Sequence, residues 1–196
     1  MTQSLVLAMT ENGAGALDLL ERARRGDSAA FERLMGMHER RVLRLALRLA
    51  GHLEDAQDIS QDVFLKLHRE LGRFREAPDL AAWLTRVTVN TSRDYKRKKK
   101  RSRLVPIDDA PAAWQSSLPS PERIARQSQD VDMLQAGLET LGQGERVAIV
   151  LREIEGLSTS EVASTLGLAE STVRVQICTA RVKLRKFFDD AQRKRA

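Results

Sequence analysis

Three clusters of side chains in this 196-residue chain could do chemistry. The first is acidic. Asp55, Asp58 and Asp62, with Gln61, crowd one flank of a run in which Ala56, Ile59, Val63 and Leu67 recur at helical spacing. Asp58 and Asp62 stand at i and i+4 and share a face. Paired carboxylates invite an acid–base or metal reading. No histidine or further carboxylate is spaced to complete such a site, and no phosphate-binding glycine loop occurs anywhere in the chain. A face that docks a protein fits the pattern better, with a plain solvated face as the alternative.

The second cluster is basic. Seven of the eight residues from Lys96 to Arg103 are lysine or arginine. They end a helical pattern bearing Trp83, Asn90, Arg93 and Tyr95. Cationic residues beside aromatic and amide groups suit a single strand, the cations holding backbone and the others holding bases. A solvated charge run is the competing reading, and Trp83 is as well explained by a core position.

The third cluster spans Gly156 to Arg185 and reads as a helix-turn-helix. Ser158 and Glu161 form a capping box. Val162, Ala163 and Leu166 give an apolar face, and Gly167 sits where a tight turn needs a residue without Cβ strain. In the next helix Val173, Ile177, Ala180 and Leu184 form one dry stripe. The opposite crest carries Val175, Cys178 and Thr179, with Arg174, Arg181 and Arg185 on its shoulders. Arginines and small side chains presented outward fit a major groove, where arginine pairs with guanine and methyl groups touch thymine. An ordinary surface helix of a small bundle is the alternative.

The elements that must position these clusters are all helical. A helix capped by Asp27 or Ser28 runs to Ala50 and breaks at Gly51. A second spans Glu54 to Glu70. Gly72 to Pro78 reads as a loop, and a third helix covers Asp79 to about Lys100. Val105 to Pro121 holds four of the five prolines and reads as a linker. Beyond it come a helix from Glu122 to about Thr140, a Gly142-Gln143-Gly144 turn and a helix from Glu145 to Glu155. The fold class is therefore all-α: two small helical domains joined by a flexible linker, the second with a helix-turn-helix. The expected boundaries are a flexible terminus at 1–15, a first domain at 16–103, a linker at 104–121 and a second domain at 122–196.

Composition agrees. Lys plus Arg is 33 against 27 for Asp plus Glu, giving +6. That balance, with a pI near 9.9, favours a polyanionic partner. Aromatics at 4% argue against a sheet that stacks RNA bases. Cys178 is the single cysteine, which excludes an internal disulfide and an all-cysteine zinc site. His38, His52 and His68 lack ligand spacing. No cofactor or metal is expected. No apolar run approaches the roughly 20 residues that span a bilayer, so a cytoplasmic protein without membrane insertion is the expectation.

Taken in order, these motifs resemble the bacterial sigma factors of the extracytoplasmic-function type. Gly26-Asp27-Ser28-Ala29-Ala30-Phe31 is similar to that family's first-helix start. Asp55 to Phe64 resembles its polymerase-binding helix. Gly72-Arg73-Phe74-Arg75, with Ala82-Trp83-Leu84 and Val89-Asn90-Thr91, resembles its promoter-melting segment. Leu157 to Leu184 resembles its carboxy-terminal helix-turn-helix. The resemblance implies a transcription initiation factor, not an enzyme. Asp58, Gln61 and Asp62 would dock on core RNA polymerase. Phe74, Arg75, Asn90, Arg93, Lys96 and Arg97 would engage the melted minus-ten element. Ser171, Thr172, Arg174, Val175, Cys178, Thr179 and Arg181 would read the minus-thirty-five duplex. An anti-sigma factor is a further implied partner. Two positions depart from the family pattern: Ala169 stands where a serine-type cap is frequent, and Gly142 where proline is common. A stand-alone helix-turn-helix regulator is the alternative, and it would account for the second block only.

Overall fold

The computed structural model describes residues 15–74, 77–102 and 128–193, which fall into two compact units divided between Tyr95 and Lys96. The expected linker and the first fourteen residues lie outside the described residues, as does Arg75. Every regular element among the described residues is a helix. None of these helices is long and apolar enough to cross a membrane.

The first unit opens with α1, residues 15–24, a helix that apolar spacing alone does not mark off from the next one. Gly26, at φ 94°, turns the chain. Helix α2 spans Ser28–Ala50, and the Asp27 side chain caps it by accepting from the Ala30 amide. Gly51 ends α2 at φ 103°, a backbone conformation that a residue with Cβ rarely adopts. Helix α3 spans Leu53–Glu70 and runs into a 3-10 turn at Leu71–Arg73. Helix α4 covers Ala77–Ser102, starting two residues earlier than the sequence pattern suggests. The reason lies in Pro78: in a first helical turn its missing N–H has no partner to lose.

The core of this unit is aliphatic. Leu34, Val42 and Ala46 of α2 meet Ile59, Val63 and Leu67 of α3, and Leu80 and Leu84 of α4 complete it. Helix α4 also buries hydroxyls, Thr88, Thr91 and Ser92 being almost fully covered. Thr88 Oγ1 donates to the Leu84 carbonyl at 2.7 Å and Ser92 Oγ to that of Thr88 at 2.8 Å. Both of these hydroxyls are satisfied within their own helix, so burying them leaves no orphaned donor.

The second unit comprises α5 (Ser128–Glu139), α6 (Gln143–Ile149) continued by a π-helical turn at Val150–Ile154, α7 (Thr159–Leu166) and α8 (Glu170–Arg193). The glycine turn is shorter than the sequence suggests, because α6 begins at Gln143 and takes Gly144 into its first turn. A Cβ at Gly144 would lie 2.7 Å from the Gln176 side-chain amide of α8, which would have to swing aside. Gly142 keeps an amide that proline would lack, and donates it to Glu145 Oε2 at 2.9 Å. Buried Val147, Ala148, Val150 and Leu151 share this unit's core with Val162 of α7 and with Val173, Ile177 and Ala180 of α8.

Candidate protein-docking and nucleic-acid surfaces

Helix α3 sorts its side chains cleanly. Ala56, Ile59, Val63 and Leu67 are buried, while Asp58, Gln61 and Asp62 are exposed on the other flank. Leu65 is exposed too, one turn beyond Gln61. It adds an apolar side chain to the acidic face, and the carboxylate pattern gives no hint of it. Asp55, by contrast, is buried at 8% exposure. Tyr95 of α4 explains how a carboxylate tolerates that position. Its hydroxyl donates to Asp55 Oδ1 at 3.1 Å and to Asp58 Oδ2 at 3.0 Å. Burial, then the two carboxylates, push the Tyr95 hydroxyl well above the ordinary phenol range, so it remains a donor. A second polar contact joins the same helices: Lys66 Nζ donates to Thr91 Oγ1 at 2.8 Å.

Helix α4 presents Asn90 and Arg93 to solvent, followed by Lys96, half-buried, and Arg97, exposed. The polar and cationic side chains expected near a melted strand thus occur on one helix. Phe74 does not join them. Its ring is buried and stacks edge-on against Trp83, with centroids 5.1 Å apart. Phe74 is thus placed in the core and not on the exposed face of α4, and the aromatic pair closes the end of the core with Trp83 only partly covered. Trp83 takes the core position that the sequence leaves open.

In the second unit, Ser158 and Glu161 make the reciprocal capping box. Ser158 Oγ accepts from the Glu161 amide at 3.2 Å, and Glu161 Oε2 accepts from the Ser158 amide at 2.7 Å. Those bonds hold the Glu161 carboxyl below its usual range. Gly167 adopts φ 65° and ψ 37°, the left-handed conformation expected of the inter-helix turn. Ala169 contributes no side-chain cap to α8, and only its carbonyl accepts, from the Val173 amide.

The dry stripe of α8 is as the spacing predicts: Val173, Ile177 and Ala180 are buried and Leu184 is half-buried. Ser171, Thr172, Arg174, Val175, Cys178 and Arg181 are exposed, and Thr179 is partly so. Val175 is 66% exposed, as is Val182 further along the same helix. Arg174 pairs with Glu170 at 3.0 Å, and Arg181 pairs with Glu153 on the π-helical turn. Both pairs are largely exposed, so they orient the guanidiniums at little energetic expense and can exchange for another anion. The π turn is invisible in the sequence, because Val150 to Ile154 has ordinary α-helical spacing.

Each of the two units matches a known family. The Sigma-70 region 2 family matches residues 34–102, and the Sigma-70, region 4 family matches residues 132–184. An ECF RNA polymerase sigma factor, SigE of Mycolicibacterium smegmatis, is 36% identical over 165 residues, covering 83% of this chain and 64% of that protein. The RNA polymerase sigma-H factor of Pseudomonas aeruginosa is 31% identical over 177 residues, covering 86% and 91%. Among solved structures, CnrH in complex with the cytosolic domain of CnrY aligns with a TM-score of 0.60 at 29% identity, covering 90% of this chain and 98% of that one. The fold is also that of the sigma factor RpoE of Bartonella quintana, solved with the anti-sigma factor NepR, with a TM-score of 0.61 at 23% identity over 81% and 96%.

Proposed function

The chain belongs to the ECF RNA polymerase sigma factors, and from that premise we propose which of its residues carry each part of the work. As a sigma factor it is a transcription initiation factor: it binds core RNA polymerase, directs it to specific promoters and assists their melting. A stand-alone regulator would leave residues 34–102 without a role.

Region 2 extends over 16–103 and region 4 over 122–196, with 104–121 as the linker between them. Asp58, Gln61 and Asp62 dock on core polymerase. Asn90 holds an unstacked base of the minus-ten element, while Arg93, Lys96 and Arg97 hold the nearby backbone. Ser171, Thr172, Arg174, Val175, Cys178, Thr179 and Arg181 face the minus-thirty-five duplex, Arg174 as the guanine reader. An anti-sigma protein is a further partner, as the family resemblance implies; CnrH, which this chain resembles, is itself solved in complex with the cytosolic domain of CnrY. The protein acts in the cytoplasm and carries no catalytic centre of its own.

The observation that carries the docking assignment is the exposed pair Asp58 and Asp62 on the flank of α3 opposite its buried stripe. Reversing both to lysine sets like charges against the partner surface and should weaken association by several kcal/mol. The fold should lose only about 1 kcal/mol, for the Tyr95 hydrogen bond. Circular dichroism and a pull-down on core polymerase test this. A folded double variant that still binds core normally would remove the docking role from α3.

A further inference from the structure

We propose that Tyr95 is a positioning residue for polymerase docking: its hydroxyl ties the Asp58 carboxylate to α4 and so presets the docking face of α3. The proposal rests on the assignment of Asp58 to core binding made above.

Asp55 and Asp58 are three residues apart on one helix, and two carboxylates so placed repel each other. Tyr95 sets a single donor between them, 3.1 Å from one and 3.0 Å from the other. Its ring is anchored independently, half-buried against the region 2 core. The donor is therefore fixed by packing, and the exposed carboxylate is held by the donor. Exposed aspartates otherwise sample several rotamers, and docking must then order them. Asp58 is ordered beforehand, with one oxygen engaged by Tyr95 and the other left to meet a partner. Among the described residues Asp62 has no such tether from α4, so the two docking carboxylates differ in preparation.

A neighbouring contact provides the control. Lys66 to Thr91 also joins α3 to α4, one turn earlier on α4, and involves none of the docking residues. If α4 merely braces α3, the two contacts are equivalent. If Tyr95 acts through Asp58, they are not.

The test is a double-mutant cycle on the full chain, with binding to bacterial core polymerase read by competition against labelled wild type. Tyr95→Phe keeps the ring and removes only the hydroxyl. It should weaken core binding by about three- to tenfold, as expected for a partly solvated hydrogen bond to a charge. In an Asp58→Ala background the same change should alter affinity by less than about twofold, since the group it acts through is gone. Thr91→Val should leave core affinity within about twofold of wild type while lowering thermal stability. Should Tyr95→Phe weaken binding equally with and without Asp58, or Thr91→Val weaken it as much, Tyr95 is a brace and the proposal falls. An Asp58→Ala variant that binds core normally overturns the docking assignment itself, and this proposal with it. Normal binding by Tyr95→Phe, when Asp58→Ala binds poorly, overturns this proposal alone.

Discussion

Region 4 seats its reading helix through aliphatic side chains, with Val173, Ile177 and Ala180 buried along one stripe of α8. Region 2 seats α4 partly through hydroxyls, with Thr88, Thr91 and Ser92 almost fully covered beside Leu84 and Val89. Under the assignments proposed above, the two helices face comparable tasks, each presenting polar groups to nucleic acid. They differ in what holds them down. An aliphatic seat gains from burial in proportion to area and is blind to direction. A hydroxyl seat gains less but tolerates polar partners from a neighbouring helix, and α4 uses that tolerance: Thr91 accepts from Lys66, and Tyr95 reaches Asp55 and Asp58. Region 4 also buries polar side chains, Arg146 at 7% exposure among them, but the buried stripe of α8 is aliphatic, while in region 2 helices α3 and α4 are joined through polar side chains.

The comparison breaks most readily at the seats themselves. Ile177→Ala should destabilise region 4 by about 2–5 kcal/mol, the range for a large-to-small change in a core. Thr88→Val should change region 2 by no more than about 1.5 kcal/mol, because it removes one hydrogen bond and keeps the shape. Residue-resolved amide exchange on the full chain separates the two units. Equal losses would mean that the hydroxyl seat is as demanding as the aliphatic one.

The next largest effect concerns the cations. Neutralising Lys96, Arg97, Lys98 and Lys99 should flatten the salt dependence of promoter-complex formation by about 3–4 units of slope, at ~0.7–0.9 per phosphate contact. Sequence preference should persist, because backbone contacts position without specifying. An unchanged slope would make this stretch of α4 a solvated end. Arg174→Ala in region 4 should behave in the opposite way. Its loss of about 1–3 kcal/mol should fall on a single base position, with the salt slope nearly unchanged. A uniform loss across promoter sequences would move Arg174 to a phosphate, and the contrast between the two surfaces would narrow.

The same difference explains how much of the molecule is legible in its sequence. Region 4 announces itself: Ser158 and Glu161 three residues apart, Gly167 at the turn and the Val173 stripe are local signals, each tied to one physical requirement. All appear where expected. The Asp27 cap and the break at Gly51 are local in the same sense. Features that depend on distant partners escape. The Tyr95 hydroxyl finds carboxylates 40 and 37 residues away, which no spacing rule reports. Phe74 reads as available for a base, but Trp83 covers it. Gly144 reads as a turn residue, whereas its missing side chain makes room for Gln176, which arrives from another helix.

The smallest expected effect is acid sensitivity, and it too should differ between the regions. Three carboxyls tied to helix ends are held below their ordinary range. The Ala30 amide and then Arg22 lower Asp27 in region 2. Lys183 and then the Gly142 amide lower Glu145, and Ser158 lowers Glu161, both in region 4. A carboxyl with a depressed folded-state pKa contributes stability that is present above its unfolded value, about 4. That contribution fades as pH falls through the folded value, because the protonated group no longer holds its partner. Region 4 has two such groups among the described residues and region 2 has one, so acid below about 4 should loosen two helix starts in region 4 and one in region 2. Amide protection around Ser158, around Gly142 and around Ala30 should each decline over that range. Replacing Glu161 with Gln should remove part of the pH dependence near α7 and leave that of α2 untouched. If protection at these helix starts is unchanged below about pH 4, the capping carboxyls are not what acid titrates.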